Sequence, residues 1–219
     1  MKNIIFLSPP AAGKGTQSNK ISEKYNIPAI SFGDLLRIEA SSGSELGNYI
    51  HKLQTQGVLV DDDIALKVLE KRLNMDDCSN GYILDGYPRN INQAYSYDEL
   101  LKKLNKDLGI VIFLNPPFDE IKNRVVGRVS CPNCKATFNE EIDFLKPIKQ
   151  GICDKCSSKL IKRSDDNLEA YKTRYDIYLK STSPLIDFYK ERKVLYEIDD
   201  VDIDTVTSKI IDIIEGNND

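Results

Sequence analysis

The sequence of 219 residues predicts an α/β fold in which helices cover a parallel sheet. Short apolar, β-branched or aromatic runs at 3–7, 82–84, 110–114 and 194–198 are typical of strands buried on both faces. Helical patterns separate these runs, and alternation of strand and helix indicates a layered α/β arrangement. The segment 129–165 lacks this periodicity and holds two pairs of cysteines, which predicts an inserted subdomain.

The helical patterns follow the strands in chain order. Residues 14–25 come after the first strand and a glycine-containing turn, and 62–75 carry apolar residues at roughly helical spacing. Residues 166–190 form a long amphipathic segment that is interrupted near Pro184, and 202–215 close the chain. We therefore expect a helix between each pair of strands, and a helix after the last strand.

Composition limits the classes of function. Hydrophobic residues make up 41% and charged residues 29% of the chain, enough for a sizeable core. A net charge of −4 provides no electrostatic footprint for a nucleic acid or an anionic membrane. The apolar run at 110–114 is far too short to span a bilayer, and residues 1–7 are interpreted as a strand and not as a signal peptide. We expect a cytoplasmic protein with neither nucleic acid nor membrane as a partner.

The first turn, SPPAAGKGTQ at 8–17, indicates an anion site. Backbone N–H groups at the start of a helix point at bound phosphates, and the helix dipole favours negative charge. Lys14 would reach the β- and γ-phosphates of a nucleotide. The strict Walker A pattern is not met, because Ser8 replaces its first glycine and Gly15 stands at its Ser/Thr position. On this segment alone, an ordinary strand–helix turn remains the alternative.

A second strand motif, GYILDGYPR at 81–89, ends in a carboxylate and a turn. An acidic residue at the carboxyl end of a strand beside a phosphate loop commonly anchors Mg²⁺ and its waters. Open α/β sheets bind ligands at this edge. Asp85 is therefore a candidate Mg²⁺ anchor, with a turn-forming aspartate as the alternative.

Arginine is scarce, since 22 of the 30 basic residues are lysines and 8 are arginines. Arginine offers a planar fork of donors that suits phosphate, so in this chain each arginine is informative.

The three segments GKGTQ at 13–17, SFGDLLR at 31–37 and DGYPR at 85–89, with Gln93, resemble the signatures of the adenylate kinase family. The resemblance covers residues 1 to about 190, in the family's order and spacing. It implies a P-loop three-layer fold with a central parallel five-stranded sheet, and reversible Mg²⁺-dependent phosphoryl transfer from ATP to AMP giving two ADP. It also implies a monomer. The expected domains are a core (1–30, 61–126 and 167–219), a helical monophosphate-binding insert (31–60) and a zinc-binding lid (127–166).

The resemblance also implies roles for individual residues. The following would hold ATP: Ala11, Ala12, Gly13, Lys14, Gly15, Thr16, Arg128, Thr137, Phe138 and Asp200. The following would hold AMP: Phe32, Arg37, Val58, Leu59, Val60, Gly86, Tyr87, Pro88, Arg89, Gln93, Arg163 and Arg174. The following would act in catalysis: Lys14, Asp85, Arg89, Arg124, Arg163 and Arg174. Only Arg72 and Arg192 fall outside these positions, which supports the assignment in a chain that otherwise uses lysine.

Four of the five cysteines form two CxxC pairs separated by 18 residues: Cys131, Cys134, Cys153 and Cys156. Two such knuckles present four thiolates at the spacing that tetrahedral Zn²⁺ requires. We expect a structural zinc that stiffens a segment too small to build its own core. A redox CxxC motif and an iron site are the alternatives.

Departures from the family pattern leave other functions open. Ser8 and Ala11 replace glycines of the loop, and Val129 stands where relatives often have an arginine. Phe32 stands where the family usually has a threonine that faces the monophosphate, and near Asp200 the family commonly has a glycine whose backbone contacts the donor adenine. A kinase with another or broader acceptor, such as a UMP/CMP kinase, is therefore an alternative. A non-catalytic zinc ribbon that binds nucleic acid is a second, and the acidic net charge argues against it.

Overall fold

Seven strands are present in the computed structural model, which describes residues 3–55, 60–117, 121, 124–125, 127–134, 136–162 and 168–216. Five form the central sheet: β1 (Ile4–Leu7), β2 (Ala29–Ser31), β3 (Ile83–Asp85), β4 (Ile110–Leu114) and β7 (Leu195–Ile198). Two lie outside it: β5 (Arg128–Ser130) and β6 (Thr137–Asn139). The central strands are all parallel and stand in the order β2-β3-β1-β4-β7. The predicted five-stranded parallel sheet is confirmed.

Eight α-helices connect the strands in the described residues. They are α1 (Lys14–Tyr25), α2 (Phe32–Ala40), α3 (Glu45–Thr55), α4 (Asp62–Leu73), α5 (Ile91–Leu104), α6 (Leu168–Ile177), α7 (Pro184–Glu191) and α8 (Ile203–Glu215). A π-helical turn, Tyr178–Thr182, joins α6 to α7. None of the helices in this part of the chain has the length and apolar character needed to cross a lipid bilayer.

Alternate residues of the strands supply two separate cores, one on each face of the sheet. In β1, Ile5 and Leu7 point to the face covered by α4, α5 and α7, whereas Ile4 and Phe6 point to the face covered by α1 and α8. All four are at most 3% exposed. This two-residue period follows from the pleat of a strand, and it explains why a strand buried on both faces is a continuous apolar run.

Two segments of the chain leave the core at the carboxyl edge of the sheet, and we call them excursions. The first, after β2, consists of the paired helices α2 and α3. The second contains the antiparallel hairpin of β5 and β6, with the bridges Ser130–Ile161 and Ile152–Lys159 beside it. Val129 lies in a small apolar cluster of this second excursion and is 5% exposed. The position where relatives often carry an arginine is therefore used here for packing.

The predicted helix at 166–190 is divided, and the reason is local. Pro184 occupies the first turn of α7, where its missing N–H costs nothing, and the π-helical turn precedes it. The predicted helix at 62–75 ends at Leu73, with Asn74 as its C-cap.

Candidate active site

The loop between β1 and α1 forms an open helix N-terminus. Gly13 precedes α1 with φ of +97°, a conformation that favours glycine, and it has no side chain to cap the helix. The first N–H groups of α1 are thus available to a bound anion. Ala11 also has a positive φ, +66°, which a residue with a Cβ adopts only with some backbone strain.

Lys14 lies at the centre of this loop. Its Nζ donates a hydrogen bond to Ser8 Oγ at 2.7 Å and lies 3.8 Å from Asp85 Oδ1. Burial lowers the pKa of Lys14, the charge of Asp85 raises it, and nearby arginines lower it further. The serine that breaks the Walker A pattern therefore positions the lysine.

Asp85 reaches this place because β3 pairs directly with β1, with Asp85 opposite Phe6. Gly86 then turns the chain with φ of +86°, and Arg89 Nε donates to Gly86 O at 2.9 Å. The carboxylate at the end of β3 and the loop after β1 are brought together by the parallel pairing alone.

Several arginines converge on the same space. Loss of solvation lowers the pKa of Arg89, the charge of Asp85 raises it, and the charges of Arg174 and Arg37 lower it. Arg128 contributes to the same field, since its charge lowers the pKa of Lys14. Like charges held this close together repel one another, so a polyanion such as a chain of phosphates would relieve the strain.

These groups surround one cavity of about 670 Å³. The residues singled out from the sequence that line it are Ala11, Ala12, Gly13, Lys14, Gly15, Thr16, Arg37, Asp85, Gly86, Pro88, Arg89, Arg124, Arg128, Thr137, Phe138, Arg174 and Asp200. They come from the core, from α2 and from the β5–β6 hairpin. The cavity is of a size that accommodates small-molecule ligands.

Some other residues that the sequence predicts for the site do not line this cavity. The described lining of the cavity does not include Val60, Phe32, Tyr87 or Gln93. Phe32 is 4% exposed and its ring packs on that of Tyr87 at 5.0 Å, so the ring lies in the core and its contact with the acceptor base stays a prediction. An aromatic ring is more stable in the core than at a solvated edge. Val58, Leu59 and Arg163 lie outside the described residues.

The end of the cavity near β7 is formed by residues of the following loop. Arg124 Nη2 donates a hydrogen bond to Val201 O at 2.8 Å. Arg124 Nη1 lies 3.6 Å from the position that a Cβ atom on Gly13 would occupy. Arg124 thus spans the distance between the phosphate loop and this end. Asp200 forms a 2.5 Å ion pair with Lys209 of α8, so its carboxylate is already paired.

The four cysteines of the second excursion converge on one point. Their Sγ atoms all lie within 4.8 Å of one another, with Cys131–Cys156 at 3.4 Å and Cys134–Cys153 at 3.5 Å. Tetrahedral zinc with four thiolates separates the sulfur atoms by about 3.8 Å. The cluster therefore fits a four-coordinate metal, and it does not resemble two separate CxxC redox pairs.

Sequence reasoning missed some residues that shape the site. Asp34 lines the cavity and pairs with Arg37 Nη2 at 2.5 Å, a contact that the i,i+3 spacing on α2 signals. Asp62, at the start of α4, accepts a hydrogen bond from Gln93 Nε2 at 2.7 Å. No local pattern could have revealed that second contact, because 31 residues separate the partners.

Comparison with known proteins gives a consistent result. The family described as "Adenylate kinase" matches residues 6–194. The chain is 42% identical over 214 residues to the adenylate kinase of Archaeoglobus fulgidus, covering 97% of this chain and 98% of the relative. It is 41% identical over 214 residues to that of Oceanobacillus iheyensis and 38% identical over 213 residues to that of Thermosipho africanus, covering 97% of this chain and 99% of each relative.

Proposed function

The chain belongs to the adenylate kinase family, whose members transfer a phosphoryl group from ATP to AMP to give two ADP, and we propose how its cavity divides that task. One observation supports the division most strongly. Lys14 at an open helix N-terminus and Arg89 after β3 face a single cavity, with further arginines around them. The donor phosphates bind on the Lys14 side and the acceptor phosphate on the Arg89 side.

At the donor end, the loop at 11–16 binds the ATP phosphates through its backbone N–H groups. Arg124 and Arg128 approach from the side of the hairpin, and Thr137, Phe138 and Asp200 border the nucleoside. The open N-terminus of α1 supports this role, because such an end favours negative charge.

At the acceptor end, Arg37, Arg89 and Arg174 hold the monophosphate. Pro88 and Gly86 form the wall next to it. Gln93 lies outside the described lining of the cavity, bonded to the backbone of Arg89, and we assign it to the base. Val58, Leu59 and Val60 complete the base site in this proposal, and Arg163 joins the arginines at the phosphates.

The chemistry requires alignment and neutralisation of charge. Phosphoryl transfer passes through a loose transition state whose charge lies on the transferred oxygens, and a phosphate oxygen of AMP needs no general base. Lys14 and the arginines supply fixed positive charge in a space that excludes water. The family implies Mg²⁺ with ATP, and bound Mg²⁺ would neutralise charge on the phosphates. We assign Asp85, whose Oδ1 lies 3.8 Å from Lys14 Nζ, to hold it.

Residues 127–166 act as a lid over the donor side, and we assign structural zinc to its four cysteines. The sulfur distances and the absence of any other ligand chemistry in the group support this choice. The four thiolates complete the coordination, so the metal stabilises the lid and takes no part in the reaction. The domain boundaries, a cytoplasmic location, a monomeric state and the lack of a nucleic-acid partner remain proposals.

A coupled assay with Mg-ATP and a panel of AMP, dAMP, GMP, UMP and CMP tests the function. We expect AMP to be the best acceptor. Lys14→Ala and Arg89→Ala should each lose roughly 10²-fold or more in turnover, as expected when one preorganised electrostatic partner is removed. Lys172→Ala removes an exposed cation from the helix that carries Arg174 and serves as the control. Near-normal turnover in both site variants would contradict the division.

A further inference from the structure

The side-chain amide of Gln93 is fixed at both ends. Its Oε1 accepts a hydrogen bond from the backbone N–H of Arg89 at 2.7 Å, and its Nε2 donates to Asp62 Oδ1 at 2.7 Å. Gln93 is 6% exposed, so water has little access to these contacts. The two partners come from different elements, the loop after β3 and the first turn of α4.

The chemistry of the partners permits one orientation of this amide. An ionised carboxylate can only accept a hydrogen bond, and a backbone N–H can only donate one. A flipped amide would place Oε1 against the negative carboxylate of Asp62 and its NH₂ group against the N–H of Arg89. Both contacts would then be repulsive in a buried place, where unmade hydrogen bonds are costly.

Asp62 is itself held in place. Asn90 Nδ2 lies 3.3 Å from Asp62 Oδ1, and Asn90 Oδ1 accepts from the backbone N–H of Gln93 at 2.8 Å. Asn90 therefore connects the carboxylate to the start of the helix that carries Gln93. The group of Asp62, Asn90, Gln93 and the Arg89 backbone is a closed network between α4 and α5.

We propose that Asp62 is a specificity-determining residue, because it fixes the orientation of the Gln93 amide and thereby the type of acceptor base that can be read. The inference rests on the proposed function, in which Gln93 faces the base of the acceptor nucleotide. An amide has two N–H groups and an oxygen with two lone pairs, so these two bonds leave it the capacity to donate and to accept one more. A base bound there meets a donor and an acceptor whose positions cannot be exchanged.

This arrangement selects between two classes of purine. A 6-aminopurine offers a donor at position 6 and an acceptor at N1, whereas a 6-oxopurine offers an acceptor at position 6 and a donor at N1. The phosphate clamp fixes how the nucleotide enters, so an amide that cannot flip can match only one of these patterns. We assign the fixed orientation to the 6-aminopurine, and a freely rotating amide would accept both.

The test compares AMP, a 6-aminopurine nucleotide, with IMP, a 6-oxopurine nucleotide. For Asp62→Ala and for the isosteric Asp62→Asn, we expect the ratio of kcat/KM for AMP to that for IMP to fall about tenfold, the effect of one hydrogen bond to a charged group. KM for ATP should not change. Asp63→Ala, which removes an exposed carboxylate from the same helical turn, should leave the ratio unchanged.

A purely structural role predicts a different result, because general damage to the site would lower both kcat/KM values and preserve their ratio. Circular dichroism confirms folding, and Asp62→Asn retains the shape of the side chain if Asp62→Ala fails to fold. In a Gln93→Ala background, Asp62→Asn should have no further effect on the ratio. A ratio within twofold of wild type in the folded variants, or independent effects of the two substitutions, would overturn the inference. Failure of the wild-type protein to use AMP would instead overturn the proposed function.

Discussion

The charge on Lys14 depends on two opposing influences. Burial lowers its pKa and Asp85, at 3.8 Å, raises it. Asp85→Asn removes the stabilising charge, so the pKa of Lys14 should fall further and the lysine should lose its proton at a lower pH. We therefore expect the alkaline limb of the pH–rate profile to shift towards acid, in addition to any loss of turnover.

The shift is measured from kcat/KM for ATP between about pH 6 and pH 10, at saturating Mg²⁺. Asp63→Asn, an exposed carboxylate on α4, controls for the change in net charge. An alkaline limb at the wild-type position in Asp85→Asn would mean that Lys14 is not the group that titrates.

We expect Phe32 to contribute to stability and not to recognition of the acceptor. Its ring is 4% exposed and packs on Tyr87. Phe32→Thr should cost about 2–4 kcal/mol, as large-to-small core substitutions do. For a chain of this size, that lowers Tm by roughly 5–15 °C. The ratio of kcat/KM for AMP and CMP should stay the same.

Calorimetry with the same two-acceptor assay checks this result. Phe32→Leu keeps most of the apolar volume and should cost clearly less stability. A changed AMP/CMP ratio with an unchanged Tm would show that the ring reaches the bound base.

At the scale of elements, the strands show what sequence can predict and what it cannot. β1 and β4 are buried on both faces, so each is a continuous apolar run that stands out in the sequence. β2 is a three-residue edge strand with the burial pattern exposed, buried, half-buried, and its Ala-Ile-Ser sequence gives no comparable signal. The β5–β6 hairpin is equally short, and its pairing depends on the surrounding lid.

The residues of the candidate site also differ in how far the sequence predicts them. Residues in or next to a motif, such as Lys14 and Asp85, were predicted, because parallel pairing brings the ends of neighbouring strands together. The place of Phe32 in the core, and the contact of Asp62 with Gln93, depend on how α2 and α4 pack, which no local pattern encodes. Propensity and motif fix where a segment begins, whereas tertiary packing decides which way its side chains turn.

We expect the lid to depend on the proposed metal to a degree that the core does not. Its apolar cluster contains Val129, Ala136 and Leu160, and two of the cysteines themselves complete it. With so small a core, binding energy of the metal is folding energy. We expect one zinc per chain, and we expect removal by a chelator to produce an early thermal transition confined to the lid.

Metal analysis, native mass spectrometry and calorimetry test this expectation. Cys131→Ser and Cys153→Ser should both lose the metal and show the early transition. Cys78→Ser is the matched control, since Cys78 is buried in the main core and the metal content should stay at one per chain. Iron in place of zinc, or two disulfides with no metal in freshly purified protein, would contradict the prediction.

At the scale of the whole molecule, the cavity exists because two excursions of the chain lean over the edge of the sheet. Each is tied to the core by an ion pair. In the first, Lys71 of α4 lies 3.1 Å from Glu39 of α2, whose side chain is 11% exposed. In the second, Lys155 between two cysteines of the lid lies 3.5 Å from Glu23 of α1, and both side chains are largely exposed. The two ion pairs belong to different excursions, so under the proposed division they should affect different substrates.

Removing one ion pair at a time should therefore change KM for ATP and KM for AMP independently. Lys155→Gln should raise KM for ATP by up to about fivefold and leave KM for AMP unchanged, since an exposed pair is worth about 0.2–1 kcal/mol. Lys71→Gln should raise KM for AMP, by up to roughly tenfold, because it leaves a buried carboxylate without its cation. In the wild-type protein the pKa of that carboxyl is held below its usual value, chiefly by the hydrogen bond from Lys71, so the substitution removes the main stabilisation of its charge.

Each variant is the control for the other, and salt provides a further discrimination. Raising the ionic strength from about 0.05 to 0.5 M screens exposed charges, so wild type should approach Lys155→Gln in its KM for ATP, whereas the difference made by Lys71→Gln should persist. If both variants raise both constants equally, the two excursions do not act on separate nucleotides. The cavity would then respond as a single unit, and the division into a donor side and an acceptor side would have to be abandoned.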